Sequence, residues 1–384
     1  MVELVFLYWI VVYVITLFPW NPRHSFSSIN NLYVIPRSVY YVFFSSINNL
    51  YVIPRSVYYV LILFLAVFAG FRNFSWPDTA SYVADFIYDT PSLKDFTVDS
   101  YRLADLQYSE RGFYLFSSCI KTLTSNVHFY FILISIVTIA FIAKSLNKYC
   151  VYPLLGLLVY ISRFFIGRQM MQIRAGLAIA IVVWALQYIE KRKFWHFLII
   201  VLIAFTLHHS VILILPVYWM HKIPFTFKHI VYILFFSFVI AGVASGFIVS
   251  HVTNFSSDMN LATTYTSETS QYTQGKGLLN PMLYYQSVVL LLYSYYGKKL
   301  SSLTPSYETI RNGYLYSTVI LIVLSSFGTL SARISTIYST FEIFMLPSFL
   351  LLFSNWKKLF AWIFLGLIVS GLFLLNVIGV QQFL

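Results

Sequence analysis

The sequence predicts an all-α polytopic membrane protein, and three observations support this fold class. Hydrophobic residues make up 59% of the 384 residues and charged residues only 10%, with a mean hydropathy of +0.76. A soluble protein of this length needs far more charge on its water-facing surface. Apolar segments of about 15 to 22 residues recur along the chain, which is the length of a bilayer-crossing helix. They lack the strict alternation that is typical of strands in a membrane β-barrel.

These segments predict about 11–12 transmembrane helices in a single integral membrane domain, residues 1–384. Segment 194–220 is long for one crossing and contains His208, His209 and Ser210. We therefore expect two short helices there, with the break at His208. The other predicted spans are 2–20, 58–71, 127–145, 152–165, 170–189, 230–250, 282–296, 314–330, 336–353 and 359–378.

The basic residues predict an orientation, because loops rich in Lys and Arg stay on the cytoplasmic side. With the N-terminus outside, most of the 25 Lys and Arg residues fall inside. This layout gives a cytoplasmic loop at 26–60, an outer loop with an amphipathic helix at 72–111 and a second outer loop at 252–280. The outer cations are mainly Arg, which binds phosphate and carboxylate bidentately. Pairing with outer-loop carboxylates or lipid headgroups is the alternative for each of them.

One sequence duplication lies near the start of the chain. Residues 26–42 recur without change as residues 44–60, at a period of 18 residues. Solenoid repeats diverge and number three or more, so a perfect double copy indicates a recent tandem duplication or an artefact. We predict that it lengthens the cytoplasmic loop and takes no part in chemistry.

Three arginines, Arg163, Arg168 and Arg174, lie among long apolar runs. A cation in hydrocarbon is unfavourable by several kcal/mol unless it is paired or hydrated, so such residues are functional candidates. Arg174 is expected about one helical turn inside the membrane, at the depth of a lipid pyrophosphate. An internal ion pair between Arg174 and Glu342 is the alternative. Gly176 and Ala180 then allow another helix to approach closely.

The first outer loop offers a second group of candidates next to Arg72. Asp78, Tyr82, Asp85 and Asp89 are spaced 4, 3 and 4, so on a helix they share one face. Carboxylates beside aromatic rings suit sugars, whose hydroxyl groups take hydrogen bonds and whose C–H faces stack on rings. A solvated helix lying on the outer leaflet is the alternative for the distal acids.

The broken segment and the late part of the chain supply the remaining candidates. His208 at a helix break can face water and act as a general base near neutral pH; a hydrogen-bonded packing histidine is the alternative. Arg333, Tyr338 and Glu342 add a cation, a phenol and a buried carboxylate. No metal-ligand spacing or glycine-rich phosphate loop is present, so we expect neither a metal nor a cofactor. The scattered basic residues also argue against nucleic acid.

In these motifs the chain resembles the EpsG-type, Wzy-like polymerases of bacterial surface polysaccharide. The resemblance runs from about residue 70 to residue 347 and rests on short motifs in a shared order. Two departures are Pro77, where the family often has Gly, and Ala175, where Gln is common. The matching elements are Gly70-Phe71-Arg72 with Asp78 and Tyr82, Glu110-Arg111-Gly112-Phe113, Ile173-Arg174 with Leu177-Ala178, Phe205 with His208 and Ser210, and Arg333-Ile334.

The resemblance implies a metal-independent, GT-C-like membrane glycosyltransferase, an O-antigen or exopolysaccharide polymerase of the bacterial inner membrane. Its substrate would be undecaprenyl-pyrophosphate-linked oligosaccharide, polymerised on the periplasmic side, with membrane lipids and a chain-length regulator as partners. The outer arginines would stabilise the departing pyrophosphate. His208 would be the base, with Asp78 or Glu110 as substitutes. A flippase for the same lipid-linked sugar and an O-antigen ligase-like transferase are the alternatives.

Overall fold

The computed structural model describes residues 2–16, 55–97, 110–258 and 275–381. These residues form helices and no β-strand, as the composition predicts. The chain divides into two compact units, the first formed by Met1–Ile212 with Leu346–Leu384 and the second by Leu213–Met345. The single integral membrane domain stays a prediction.

The first unit contains most of the long apolar helices. Asn126 caps one of them by accepting hydrogen bonds from the backbone N–H groups of His128 and Phe129, and Pro153 occupies the first turn of the next. The helices are α1 (Val2–Ile15), α2 (Arg55–Gly70), α3 (Thr79–Ala84), α4 (Arg111–Leu123), α5 (Val127–Tyr149), α6 (Pro153–Tyr160), α7 (Ile173–Glu190) and α8 (Phe194–Leu207). The C-terminal helix Asn355–Gln381 also belongs to this unit, although it follows the second unit in the sequence.

Two of these helices continue as π-helix. Asp85–Asp89 extends α3, and Ile161–Met171 extends α6 for 11 residues. The π-helix is rare, and its short segments within α-helices are frequently found at functional sites. Gln172 separates the second stretch from α7, and the missing side chain of Gly176 allows α7 to approach it. A Cβ at Gly176 would lie 2.6 Å from the carbonyl oxygen of Arg168. The close approach at Gly176 is thus made by the π-helix that directly precedes α7, and the predicted approach of a further helix at Gly176 and Ala180 stays a prediction.

The second unit begins in the segment after His208, where the 3₁₀-helix His209–Ile214 follows α8. Thr226 and Asn280 cap two of its helices through their side chains. Its helices are α9 (Val217–Met220), α10 (Phe227–Val243), α11 (Ser245–Asp258), α12 (Pro281–Tyr295), α13 (Gly297–Leu303), α14 (Tyr307–Val323) and α15 (Gly328–Ser339). The chain then continues through α16 (Glu342–Ser348) and the 3₁₀-helix Phe349–Leu352 to α17 (Asn355–Gln381), which belongs to the first unit.

Four described helices are long and apolar enough to cross a membrane, namely Val127–Tyr149, Pro153–Met171, Ile173–Glu190 and Lys357–Gly379. Two bent pairs raise the number to six, with bends of 77° after Val243 and 53° after Ser339. The chain is thus a multi-pass membrane protein. Against the 11–12 predicted crossings, the described residues contain four to six candidate spans, because several apolar helices, such as Phe194–Leu207, have only 10–17 residues.

The predicted loop boundaries need correction where helices extend into them. Residues 55–60 of the predicted cytoplasmic loop form the first turns of α2, and the remainder of that loop lies outside the described residues. Residues 252–258 of the second outer loop belong to α11, and residues 259–274 are not described. A helix tolerates polar residues on an exposed face, so the end of an apolar run does not by itself give the end of a helix.

Candidate functional site

The carboxylate of Glu110 joins two of the predicted site residues. Its Oε2 lies 2.5 Å from Nη1 of Arg174, and its Oε1 lies 2.7 Å from Nδ1 of His208. Glu110 itself is only 4% exposed. The three residues come from separate parts of the first unit: the start of α4, the first turn of α7 and the end of α8. A cation, a carboxylate and an imidazole therefore form one hydrogen-bonded group.

The contact between α4 and α8 explains how Glu110 reaches His208. A Cβ at Gly112 would lie 2.0 Å from Oγ1 and 2.8 Å from the carbonyl carbon of Thr206. Only glycine allows this approach, and it places the residue before α4 beside the residue after α8. The glycine of the Glu110-Arg111-Gly112-Phe113 element is thus required by packing at this position.

Tyr82 holds Arg174 from a second side. Its hydroxyl oxygen accepts a hydrogen bond of 3.3 Å from Nε of Arg174, whose guanidinium carbon lies 5.4 Å from the ring centroid. Phe113 supports the Tyr82 ring at a centroid distance of 6.2 Å. The hydroxyl of Thr79 donates to the carbonyl oxygen of Met170 at 3.3 Å and so joins α3 to the π-helix before Arg174.

Arg174 keeps donor capacity for a ligand. Its side chain is 30% exposed. Nε and Nη1 are used by Tyr82 and Glu110, whereas Nη2 has no acceptor among the described residues. Arg174 pairs with Glu110 within the first unit, and the alternative ion pair with Glu342 stays a prediction. A partly exposed guanidinium with free N–H groups is suited to a phosphate group.

The predicted break at His208 is confirmed. α8 ends at Leu207, His208 has extended backbone angles of φ −161° and ψ 118°, and a 3₁₀-helix follows. Because the Glu110 carboxylate accepts the hydrogen bond, the imidazole proton is on Nδ1 and Nε2 carries the lone pair. His209 instead stacks on Phe205 at 4.8 Å. Of the two histidines, His208 therefore has the geometry of a general base.

The electrostatic environment keeps Glu110 ionised. Burial raises the pKa of its carboxyl, but the hydrogen bond from His208 and the charge of Arg174 outweigh burial and lower the pKa below its ordinary value. Asp85, one turn after Tyr82, behaves in the opposite way. Burial and the nearby charge of Asp89 raise its pKa to about 6, although Arg174 opposes the shift. Asp85 thus lies close enough to Arg174 to interact with it electrostatically. Its spacing from Asp78 and Tyr82 predicted only that the three residues share a helix face.

Arg72 is a second cation near Tyr82. It is only 1% exposed, its Nε donates to the carbonyl oxygen of Ala69 at 2.8 Å, and its guanidinium carbon lies 4.2 Å from the ring centroid of Phe131. Nη1 and Nη2 have no hydrogen-bond partner in the described part of the chain. Tyr82 and Tyr130 both lie close enough to interact with it electrostatically. Buried donors without acceptors are unfavourable, and an anion would satisfy them.

Asp78 does not share the hydrogen bonds of Glu110. It is exposed, precedes α3 with a left-handed backbone at φ 61°, and its side chain does not cap the helix. Asp is among the few residue types that adopt this conformation readily. A role for Asp78 as a substitute base stays a prediction.

Arg163 and Arg168 lie on the π-helical extension of α6, and both contact the ring of Phe164. Their guanidinium carbons lie 5.6 Å and 4.3 Å from the ring centroid of Phe164. Arg168 is 4% exposed, and its backbone contacts the first turn of α7 at Gly176. Their predicted role as ligands is not tested by these contacts.

Arg333, Tyr338 and Glu342 belong to the second unit. Glu342 is fully buried and accepts hydrogen bonds from the hydroxyl groups of Tyr314 at 2.7 Å and Tyr285 at 3.4 Å. The hydroxyl of Tyr338 donates to the carbonyl oxygen of Leu213. The predicted burial of Glu342 is confirmed, and the roles of these three residues in ligand binding stay predictions.

The chain was compared with models of known protein families. A model of the EpsG family matches residues 55–384. The chain belongs to the EpsG family. No curated protein and no solved structure gives a significant match. The EpsG family suggests a Wzy-like polysaccharide polymerase, a glycosyltransferase-type enzyme that uses a lipid-linked oligosaccharide. The matched range includes Glu110, Arg174 and His208.

Proposed function

We propose that this EpsG protein polymerises oligosaccharide units carried on undecaprenyl pyrophosphate at the periplasmic face of the bacterial inner membrane. The observation that supports this proposal best is the bridge from Arg174 through Glu110 to His208. It combines a cation for the leaving phosphate with an oriented base for the attacking hydroxyl. A binding protein, or a transporter that is not coupled to protons, has no need for the second component.

The reaction moves the growing glycan from one carrier to the next unit. A hydroxyl oxygen of the acceptor sugar bonds to C1 of the donor sugar, and the bond from C1 to the pyrophosphate oxygen breaks. The bonding electrons leave with the pyrophosphate, and the hydroxyl proton passes to Nε2 of His208. Glu110 stabilises the resulting imidazolium through Nδ1–H, while Arg174 and Arg72 stabilise the pyrophosphate. The reaction balances without a metal or cofactor.

The remaining predicted ligands are proposed to orient the cations or to bind the substrate. Tyr82 orients Arg174 and lies close to Arg72, so it borders both cations. Arg163, Arg168, Arg333, Tyr338 and Glu342 are proposed to contact the carrier pyrophosphate or the sugars. An O-antigen or exopolysaccharide product and a chain-length regulator as partner follow from the same hypothesis.

The test is a gel of surface glycan from cells that lack the gene and carry either the wild type or a variant. We expect deletion to collapse the ladder to one repeat unit, R174A to fail to restore it, and H208A to lower polymerisation by about 10²- to 10⁴-fold. The matched controls are H209A, the neighbouring histidine that stacks on Phe205, and R192G, an exposed arginine with φ 56°. Both controls should restore the full ladder.

Three outcomes would contradict the polymerase. An unchanged ladder after deletion excludes it, and total loss of surface glycan indicates a flippase. Long carrier-bound chains that are never attached to their final acceptor indicate a ligase. Full activity of H208A, with the protein present in the membrane at wild-type level, would remove the base role alone.

A further inference from the structure

Two exposed aromatic rings lie directly after α2, next to the candidate site. Phe71 and Phe74 stack on His128, with ring centroids 5.5 Å and 5.2 Å apart and interplanar angles of 27° and 20°. Phe71 and Phe74 are 59% and 39% exposed. We refer to Phe71, Phe74 and His128 as the aromatic stack. Two exposed aromatic residues are thus held in a fixed arrangement by stacking on one imidazole.

The close packing of α2 against α5 fixes this arrangement. A Cβ at Gly70 would lie 2.0 Å from Cγ1 of Ile132 and 3.0 Å from its backbone nitrogen. His128 lies one turn before Ile132, and its Nδ1 is 3.1 Å from the carbonyl oxygen of Gly70. Because a carbonyl oxygen only accepts, Nδ1 carries the proton and Nε2 of the neutral ring is an acceptor. Nε2 has no hydrogen-bond partner among the described residues.

The surroundings of the stack differ from a surface that faces lipid tails. Asn73, Ser75 and Asp78 are exposed in the same short segment, so polar groups lie beside the rings. Arg72, the residue after Phe71, extends its guanidinium over Phe131 into the candidate site. The stack is therefore next to a candidate site residue in the sequence. Exposed aromatic rings beside hydrogen-bonding groups suit a sugar, whose C–H face packs on rings and whose hydroxyl groups form hydrogen bonds.

We propose that the aromatic stack is a glycan subsite that binds one pyranose ring of the lipid-linked oligosaccharide. The C–H face of the sugar packs on Phe71 and Phe74, and a sugar hydroxyl donates to Nε2 of His128. This subsite rests on the proposed function for the identity of its ligand. It holds the glycan close to Arg72, so that the carrier pyrophosphate and the sugar chain are bound by neighbouring residues.

The test measures binding rather than polymerisation. The full chain in lipid nanodiscs is titrated with lipid-free oligosaccharide released by mild acid from the surface glycan of the same cells, and saturation-transfer NMR gives the Kd. Leucine replaces phenylalanine because it keeps the apolar character but lacks a flat ring face. We expect F71L and F74L each to weaken binding about five- to tenfold. The controls are F235L and F236L on α10, whose rings are 60% and 58% exposed.

Each outcome decides the proposal. Weaker binding in F71L and F74L with unchanged binding in F235L and F236L supports the subsite. Equal Kd values in all variants, or no binding to the wild type, overturn it and leave the rings as membrane-interface anchors. Failure of the polymerase would appear separately as an unchanged glycan ladder after gene deletion. A wild-type ladder that depends on the gene, together with no effect of F71L on Kd, would remove the subsite alone.

Discussion

Glu110 determines which nitrogen of His208 carries the proton. As an ionised carboxylate it accepts from Nδ1 at 2.7 Å, and the lone pair is then directed from Nε2. The same carboxylate lies 2.5 Å from Nη1 of Arg174. One side chain thus sets the tautomer of the base and the position of the cation, so its removal should affect both.

We expect E110Q to lower polymerisation by about 10²- to 10⁴-fold, the usual contribution of a general base. The glutamine amide can donate to Nδ1 of His208, which moves the imidazole proton to Nε2 and removes the lone pair. The glycan ladder measures the loss. The control E308Q changes a half-exposed glutamate that pairs with Arg311 outside the site, and should leave the ladder intact. A full ladder from E110Q would contradict the proposed tautomer.

Glu110 also predicts a dependence of stability on pH. Its pKa is held below the ordinary value of 4.5 in the folded protein. The ionised carboxylate therefore contributes to the free energy of unfolding above the unfolded-state pKa, and this contribution is lost as the pH falls through the lower, folded-state pKa. Below about pH 4.5 we expect the Tm of the wild type to fall more steeply than that of E110Q. Parallel Tm curves measured in nanodiscs would contradict this expectation.

At the scale of elements, α4 positions the site through both of its ends. At its start, Gly112 packs against Thr206 and brings Glu110 to His208. Near its end, Lys121 donates to the carbonyl oxygens of Phe86 and Ile87 at 2.7 Å and 3.2 Å, which fixes the π-helix that carries Asp85. Helix α4 therefore connects the outer-loop residues with the residue at the break after α8.

We expect G112A to destabilise the protein by about 1 to 3 kcal/mol, the usual range for an overpacked contact, and to reduce polymerisation strongly. The added Cβ would lie 2.0 Å from Oγ1 of Thr206, so α4 must move and separate Glu110 from His208. Thermal unfolding in nanodiscs and the glycan ladder measure the two effects. G371A is the control, because a Cβ at Gly371 in α17 meets nothing within 4 Å. Equal behaviour of the two variants would exclude the packing argument.

At the scale of the whole molecule, the family match and the first copy of the duplicated segment occupy different regions, and the second copy overlaps the match only at residues 55–60. The EpsG match begins at residue 55, whereas the first copy of the duplicated segment is residues 26–42. Every residue of the Glu110 group lies within the match. The duplication is therefore expected to affect neither the site nor the helices that position it.

We expect deletion of residues 26–43, which removes one copy, to leave the glycan ladder and the amount of protein in the membrane unchanged. The reason is that the shortened chain still contains the second copy and the whole of the family match. The matched control deletes residues 111–128, a segment of equal length that contains α4, and should abolish the ladder. Loss of the ladder at normal membrane levels after the first deletion would contradict the prediction.

Local patterns were predicted well because they depend on neighbours in the sequence. The helical class and the break at His208 both follow from short-range composition and spacing. Helix bounds and the number of crossings were predicted less well. A window of apolar residues does not show where a helix bends, as it does after Val243 and Ser339.

The sequence by itself determined the membrane class, the family motifs and the identity of the candidate cations and histidine. Only the tertiary structure decided that Glu110 bridges Arg174 and His208, and that Asp85 lies near Arg174. The physical reason is separation along the chain: Glu110 is 64 residues from Arg174 and 98 from His208. Periodicity specifies which side chains share a helix face, whereas contacts between helices depend on how closely they pack, as at Gly112 and Thr206.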